Sequence, residues 1–187
     1  MGQVSTSEFK AGMKVEIDRE PYTITHNEFV KPGKGQPFNR VKLKHLKTGR
    51  VTEKTFRSGE KLELADVEET KMRLLYREGD SFVFMDEKTY DQHSVEISVI
   101  QEKEPYCMED TEYDLVFYKG EIIDVIPPIF MEMTITETAP GLRGDTSGRA
   151  LKPATTETGA KIQVPLFVNE GEKIKVDTRT GAYVSRV

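Results

Sequence analysis

The most distinctive potential functional group in the sequence is one lysine at the centre of a glycine- and proline-rich loop. Lys34 has Gly33 and Gly35 as its immediate neighbours, and Pro32 and Pro37 lie just outside them. Glycine adopts backbone angles that other residues avoid, whereas proline fixes its own φ angle. This combination predicts a tight hairpin tip that presents one long cationic side chain to solvent.

The charge pattern around this loop favours a functional interpretation, although exposed turn lysines are common and often only aid solubility. Residues 31–57 contain nine Lys or Arg and one acid, while the whole chain of 187 residues carries a formal net charge of −5. By segment, the net charge is +5 over 1–64, −11 over 65–127 and +1 over 128–187. This asymmetry predicts that one face of the first segment meets a polyanion, with a solvated basic face as the alternative.

Basic residues after the loop are candidate contacts to an RNA backbone. The segment 41–46 alternates apolar with polar residues, which places Lys42 and Lys44 on one face of a strand. Arg40 precedes them and is the third candidate. Aromatic residues suited to base stacking are sparse, which favours recognition of a folded RNA through its backbone and shape.

The sequence shows no recognisable catalytic or metal-binding set. Its histidines, His26, His45 and His93, are scattered without metal-ligand spacing, and the single cysteine, Cys107, excludes both a cysteine zinc site and an intramolecular disulfide. The run 145–148 looks like an aspartic protease signature, but its glycine falls one place late and a second such carboxylate is missing. We therefore expect no catalytic residue, no metal and no cofactor.

The amino-acid composition limits the cellular location that we expect for the protein. The chain is 36% hydrophobic and 32% charged, and no apolar run approaches the roughly 18 residues of a membrane span. No charged-then-apolar leader opens it, and a single cysteine fits a reducing compartment. These features predict a cytoplasmic protein with no membrane partner.

The elements that must hold Lys34 have the pattern of short strands. The segments 22–29 and 41–46 flank the loop, and similar patterns lie at 13–17 and 51–56. No helical pattern of 12 residues interrupts them, which predicts a small β-barrel or SH3-like roll for residues 1–64.

The rest of the chain predicts two more small β domains. Residues 58–60 are expected to lead out of the first domain. The segments 65–127 and 128–187 each have about 60 residues and roughly five strand patterns, the size of an OB-fold barrel. Within the second segment, 94–107 fits either a short strand or one or two helical turns, and Pro105 suits a helix start. The segments 113–118 and 121–126, joined by Lys119 and Gly120, predict a hairpin, and 161–168 predicts a strand of the third segment.

With these features assembled, the chain resembles the bacterial elongation factor P family over essentially its whole length. The resemblance rests on Glu28-Phe-Val-Lys-Pro-Gly-Lys-Gly-Gln36, on Gly144-Asp-Thr-Ser-Gly148, and on the run 152–168 leading to 176–186. A related eukaryotic and archaeal factor shares the first two domains but lacks the third. The presence of 128–187 therefore places this chain on the bacterial side.

The resemblance implies an all-β protein of three small β-barrel domains, one SH3-like (KOW-like) domain followed by two OB-fold domains, in an L-shaped arrangement that mimics tRNA. It implies binding to the 70S ribosome between the peptidyl-tRNA (P) and exit (E) sites, and stimulation of peptide-bond formation at stalled consecutive prolines. Lys34 would reach the CCA end of the peptidyl-tRNA and would be the target of a lysine-modifying enzyme.

The resemblance also implies roles for residues beyond Lys34. The loop supporting Lys34 comprises Lys31, Pro32, Gly33, Gly35 and Gln36. Candidate ribosome or tRNA contacts in the third domain are Gly144, Asp145, Thr146, Ser147, Gly148, Tyr183 and Arg186. A packed terminal strand is the alternative for Tyr183 and Arg186. We expect a monomer, and the alternative function is a generic OB-fold chaperone for RNA or single-stranded DNA.

Overall fold

The computed structural model describes residues 2–140 and 150–187, and nearly all of its regular elements are β-strands. The strands form three sheets, one after another along the chain. The all-β expectation is therefore confirmed. No helix among the described residues has the length and apolar character needed to cross a membrane.

Within residues 2–64 the first sheet has six strands in the spatial order β1-β6-β2-β3-β4-β5. They are β1 (Gln3–Ser5), β2 (Lys14–Ile17), β3 (Glu20–Val30), β4 (Phe38–His45), β5 (Val51–Arg57) and β6 (Lys61–Leu64). The expectation that residues 58–60 leave this domain is wrong, because β6 pairs with both β1 and β2. β1 and β6 have only three and four residues, which is too short for a clear alternating pattern.

The first sheet buries the apolar face of its strands. Val41 and Leu43 on β4 are at most 1% exposed, while Lys42 and Lys44 between them are exposed. This is the alternation that the sequence predicted. Side chains of successive strand residues point to opposite faces, so the buried pair directs the two lysines outward.

The side-chain amides of Asn27 and Asn39, in β3 and β4, form hydrogen bonds to the backbone of the N-terminal segment. Asn39 is 3% exposed, and its Nδ2 donates to Asn27 Oδ1 at 2.9 Å and lies 3.4 Å from the Thr6 carbonyl oxygen. Asn27 Nδ2 in turn donates to the Phe9 carbonyl at 3.1 Å. Because buried polar groups need partners, these bonds hold one arrangement of β3 and β4 near the lysine loop.

Within residues 65–127 the middle sheet has five strands in the order β11-β10-β7-β8-β9. They are β7 (Val67–Glu78), β8 (Ser81–Met85), β9 (Gln92–Glu96), β10 (Glu112–Tyr118) and β11 (Glu121–Ile126). The hairpin predicted between β10 and β11 is confirmed. Lys119 and Gly120 at its turn have φ values of 49° and 81°, the positive angles that a two-residue type I′ turn requires.

The ambiguous segment 94–107 contains both of the elements that its pattern allowed. β9 ends at Glu96, the helical turn α1 (Ile97–Ile100) follows, and a 3₁₀ helix covers Gln101–Tyr106. The expected helix start at Pro105 is wrong, because this proline lies inside the 3₁₀ helix. Its fixed φ near −65° is compatible with 3₁₀ geometry, so it need not occupy the first position.

Within 128–140 and 150–187 the third sheet has five strands in the order β14-β13-β12-β15-β16. They are β12 (Phe130–Thr138), β13 (Leu151–Thr156), β14 (Lys161–Pro165), β15 (Lys173–Asp177) and β16 (Ala182–Arg186). The predicted strand 161–168 is shorter than expected and ends at Pro165, whose missing N–H cannot continue a ladder.

The contacts divide the chain into two compact units. One contains the residues up to Thr70 together with Leu115–Asp124, and the other contains Lys71–Asp114 together with Val125–Val187. The proposed domain boundaries at 64/65 and 127/128 remain a prediction.

We predict that Asn39→Ala destabilises the first sheet by about 1–3 kcal/mol, because it removes a buried donor and leaves the Asn27 and Thr6 oxygens without it. Native-state hydrogen exchange of the β3 and β4 amides measures this loss. Lys42→Ala, on the exposed face of the same strand, is the control and is expected to change stability by at most about 0.5 kcal/mol. Equal protection in both variants would contradict the assigned role of the amide pair.

Candidate nucleic-acid interface

Lys34 lies in the loop 31–37 between β3 and β4, and its side chain is exposed. The strands stay paired up to the loop, since Val30 is opposite Phe38 in the ladder. Within residues 2–140 and 150–187, the Lys34 ammonium group has no hydrogen bond and no ion pair. The cation is therefore available to a partner at the end of a continuous hairpin.

The two glycines beside Lys34 have different structural roles. Gly35 has a φ of +109°, which strains any residue with a side chain, and a Cβ there would lie 3.7 Å from Pro32 Cγ. Gly33 has no such angle, and a Cβ there would meet open space. Gly35 is therefore the residue that the backbone of the loop requires, while Lys31 and Gln36 are exposed on either side.

The three basic candidates on β4 share one exposed face but differ in their partners. Arg40 Nη1 lies 3.6 Å from Glu28 Oε2, and its Nε lies 3.6 Å from Glu53 Oε1. Among the described residues, neither Lys42 nor Lys44 has an ion pair with its side chain. Lys42 and Lys44 therefore present full positive charges, whereas the charge of Arg40 is already shared with two carboxylates.

Phe29 is a further candidate contact residue beside the lysine loop, and the strand pattern alone did not indicate it. Phe29, two residues before the loop, is 59% exposed, although it is opposite the buried Asn39 in the ladder. Phe38, which carries the aromatic ring on the other side of the loop, is half-buried. The position of Phe29 just before the glycine–proline run was the available signal. An exposed ring beside free cations is suited to stacking on a base or a sugar.

The third-domain candidates divide into two groups. Gly144, Asp145, Thr146, Ser147 and Gly148 lie outside the described residues. Tyr183 and Arg186 are both on β16, the last strand of the third sheet.

Tyr183 and Arg186 already have contacts within the third sheet. Tyr183 is half-buried against the core of that sheet, and its free side faces a groove of about 690 Å³. The Arg186 guanidinium lies 4.3 Å from the centre of the Phe167 ring, and its Nη2 donates to the Phe167 carbonyl at 3.0 Å. Arg186 Nη2 also lies 3.4 Å from Glu172 Oε1. These contacts fit the packed terminal strand and leave the proposed ribosome contact untested.

No metal centre is apparent in the part of the chain that the structure describes, where no three His, Cys, Asp or Glu residues are grouped to hold an ion. Cys107 is buried, and burial raises the pKa of its thiol to about 12. A thiol with such a pKa stays protonated near neutral pH and is a poor nucleophile. The exposed groups near the loop include several cations and one aromatic ring, which suit binding to a nucleic acid.

Comparisons with known proteins give one consistent family. The family model described as "Elongation factor P (EF-P) KOW-like domain" matches residues 5–62, "Elongation factor P (EF-P) OB domain" matches 67–125, and "Elongation factor P, C-terminal" matches 131–186.

Curated relatives match over full length. The chain is 61% identical to "Elongation factor P 2" of Protochlamydia amoebophila and 60% identical to "Elongation factor P 2" of Chlamydia trachomatis, in each case over all of this chain and 99% of the relative.

A solved structure supports the fold of two thirds of the chain. An initiation factor 5A from Methanococcus jannaschii matches with a TM-score of 0.51 and 26% identity, and the match covers 67% of this chain and 96% of that chain. With three family models along its length and relatives near 60% identity, this chain belongs to the elongation factor P family and is a translation elongation factor, a protein that works with the ribosome and is not an enzyme.

Proposed function

We propose that this factor binds the 70S ribosome between the P and E sites and relieves stalling at consecutive prolines by positioning the CCA end of the peptidyl-tRNA with Lys34. The observation that carries the proposal is the exposed Lys34 amine, without an ion pair among the described residues, at the end of the paired strands β3 and β4. Membership of the elongation factor P family supports the ribosome as the partner.

The mechanism requires no acid, base or nucleophile from the factor. Proline reacts poorly because its ring restricts φ and its nitrogen is a hindered secondary amine. Holding the tRNA end in a reactive geometry restores rate, and positioning of this kind can contribute several kcal/mol, up to about 7–11 kcal/mol in well-oriented systems. A cation on a stiff hairpin supplies such contacts with little loss of entropy.

The exposed face of β4 supplies the second part of the proposal. Lys42 and Lys44 bind phosphates of the RNA backbone and hold the first domain in place, while Arg40 contributes less because Glu28 and Glu53 share its charge. Phosphate contacts of this kind set position and orientation and do not read sequence.

Further partners follow from the family resemblance and belong to the same proposal. A lysine-modifying enzyme extends Lys34, whose exposed amine is open to acylation. Tyr183, Arg186 and the run 144–148 contact the ribosome or the tRNA. The factor acts as a monomer in the cytoplasm.

We predict that Lys34→Ala folds normally but loses stimulation of polyproline synthesis, because the loop keeps its backbone while the cation is removed. The measurement is the rate of Pro–Pro bond formation in a reconstituted translation system that contains full-length factor.

Lys88→Ala is the matched control, since Lys88 is another exposed lysine in a turn, between β8 and β9. It is expected to retain full stimulation. Full stimulation by Lys34→Ala would refute the role assigned to the loop. Tight binding of the wild-type factor to free oligonucleotides in the absence of ribosomes would instead favour a general nucleic-acid chaperone.

We predict that Lys42→Ala and Lys44→Ala each weaken ribosome binding and reduce the slope of log affinity against log salt by about 0.7–0.9, the change expected for one lost phosphate contact. Arg40→Ala is expected to change the slope by less, because its charge is partly neutralised. Ribosome binding measured at several salt concentrations tests this order. A larger effect for Arg40→Ala than for Lys42→Ala would contradict the proposed basic face.

A further inference from the structure

A polar cluster around the buried Tyr118 joins the first sheet to the turn of the β10–β11 hairpin. The Tyr118 hydroxyl, on a residue only 6% exposed, donates to Glu16 Oε2 at 2.6 Å, and the Arg19 carbonyl oxygen lies 3.2 Å from the same hydroxyl. Lys119 Nζ lies 3.1 Å from the same Glu16 oxygen. We call Glu16, Tyr118 and Lys119 the latch. All of them belong to the unit formed by the residues up to Thr70 and Leu115–Asp124.

The Tyr118 ring of the latch has apolar neighbours and lies near two amines. A cluster of Val116, Tyr118 and Ile123 packs against Leu46, Ala65 and Val67. The amine of Lys119 lies 5.2 Å from the centre of the Tyr118 ring, and the amine of Lys47 lies 5.7 Å from it. The backbone N–H of Lys119 donates to the Asp66 carbonyl at 3.1 Å.

Glu16 is the negatively charged member of the latch, and its two partners stabilise that charge. Two contacts lower the pKa of Glu16: the hydrogen bond from Tyr118 has the larger effect, and the contact with Lys119 has the next largest. The Glu16 carboxylate is therefore ionised at neutral pH. Hydrogen bonds to an ionised acceptor are shorter and stronger than neutral ones. Glu16 has a side chain only 17% exposed, so losing the Tyr118 hydroxyl leaves its Oε2 without its shortest hydrogen bond.

The latch and Lys34 are connected through β3. Glu16 on β2 is opposite Pro21 at the start of β3, and the lysine loop follows Val30 at the end of that strand. Nine residue steps at about 3.3 Å each separate these two points by about 30 Å, so a rotation of about 5° at the latch moves the loop by about 2.5 Å. A misplacement of about 1 Å can reduce a rate that depends on positioning by about a hundredfold.

From this geometry we infer that Glu16 and Tyr118 are positioning residues for Lys34, and that their bond fixes the orientation of the first sheet on residues Leu115–Asp124, the part of the β10–β11 hairpin that lies in the same unit. The inference rests on the proposed function of Lys34. In a loosened latch, the loop keeps its own structure and its cation, but the amine spends less time where the tRNA end needs it.

A titration of full-length factor in the polyproline assay separates positioning from stability. A variant that is only less stable has fewer folded molecules, so more protein restores the maximal rate. A variant with a loose latch lowers the maximal rate at saturating factor. We expect Tyr118→Phe and Glu16→Gln each to lower this plateau by about threefold or more.

Tyr113→Phe is the matched control. Tyr113 is 2% exposed, and its hydroxyl donates to the Tyr106 carbonyl at 2.7 Å and accepts from the Met108 N–H at 2.8 Å. This variant loses a buried hydroxyl outside the latch and is expected to reach the wild-type plateau. The double variant of Tyr118→Phe and Glu16→Gln is expected to fall little below Tyr118→Phe alone, because Tyr118→Phe removes the bond that Glu16→Gln weakens by removing the charge of its acceptor.

A second readout does not depend on translation. Tyr118→Phe is expected to speed hydrogen exchange at the Lys119 amide and to raise the pKa of Glu16 followed by NMR, which reports opening of the latch directly. If the Lys119 amide stays as protected as in wild type, or if the plateau is unchanged in both variants, the inference is overturned.

Lys34→Ala in the same titration distinguishes a failure of the function proposed for Lys34 from a failure of the role inferred for the latch. If Lys34→Ala keeps the wild-type plateau, the proposed function fails and the latch has nothing to position. If Lys34→Ala lowers the plateau while both latch variants reach it, the role of the latch alone is refuted.

Discussion

The pairing of β3 with β4 is the constraint on which the rest of the structure depends. Their ladder runs from Tyr22 opposite His45 to Val30 opposite Phe38, and Val41 and Leu43 are buried along it. A free cation on a flexible tail would lose much of its binding energy to ordering. On this hairpin the backbone is already ordered up to the loop, so only the lysine side chain must be fixed when a partner binds.

The local distribution of charge explains how an acidic chain can act on RNA. The whole chain has a net charge of −5, yet nine of the ten charged residues in 31–57 are basic. On the face of β4, Lys42 and Lys44 have no ion pair within 2–140 and 150–187, while Glu28 and Glu53 partly neutralise the charge of Arg40. Salt screens charges beyond about 8–10 Å, so the charges nearest to β4 have the largest effect on a phosphate that binds there.

The sequence predicted those structural features that depend only on residues close together in the chain. The alternation of apolar and polar residues predicted the strands that flank Lys34 and the outward direction of Lys42 and Lys44. The turn residues predicted the β10–β11 hairpin. The strands β1 and β6 escaped prediction because a few residues carry no clear period. The latch escaped it for a different reason, since Glu16 and Tyr118 are 102 positions apart and no local pattern links them. The distinct requirement for Gly35 was equally invisible, because it is a property of one φ angle.

The central claim is that the Lys34 amine meets the end of the peptidyl-tRNA. A cryo-electron microscopy structure of this factor on a ribosome stalled at consecutive prolines tests it most directly. We expect density for the Lys34 side chain, with any group attached to it, within hydrogen-bond distance of the backbone of the CCA end. A bound factor whose Lys34 points into solvent, or contacts only ribosomal protein, would contradict the account.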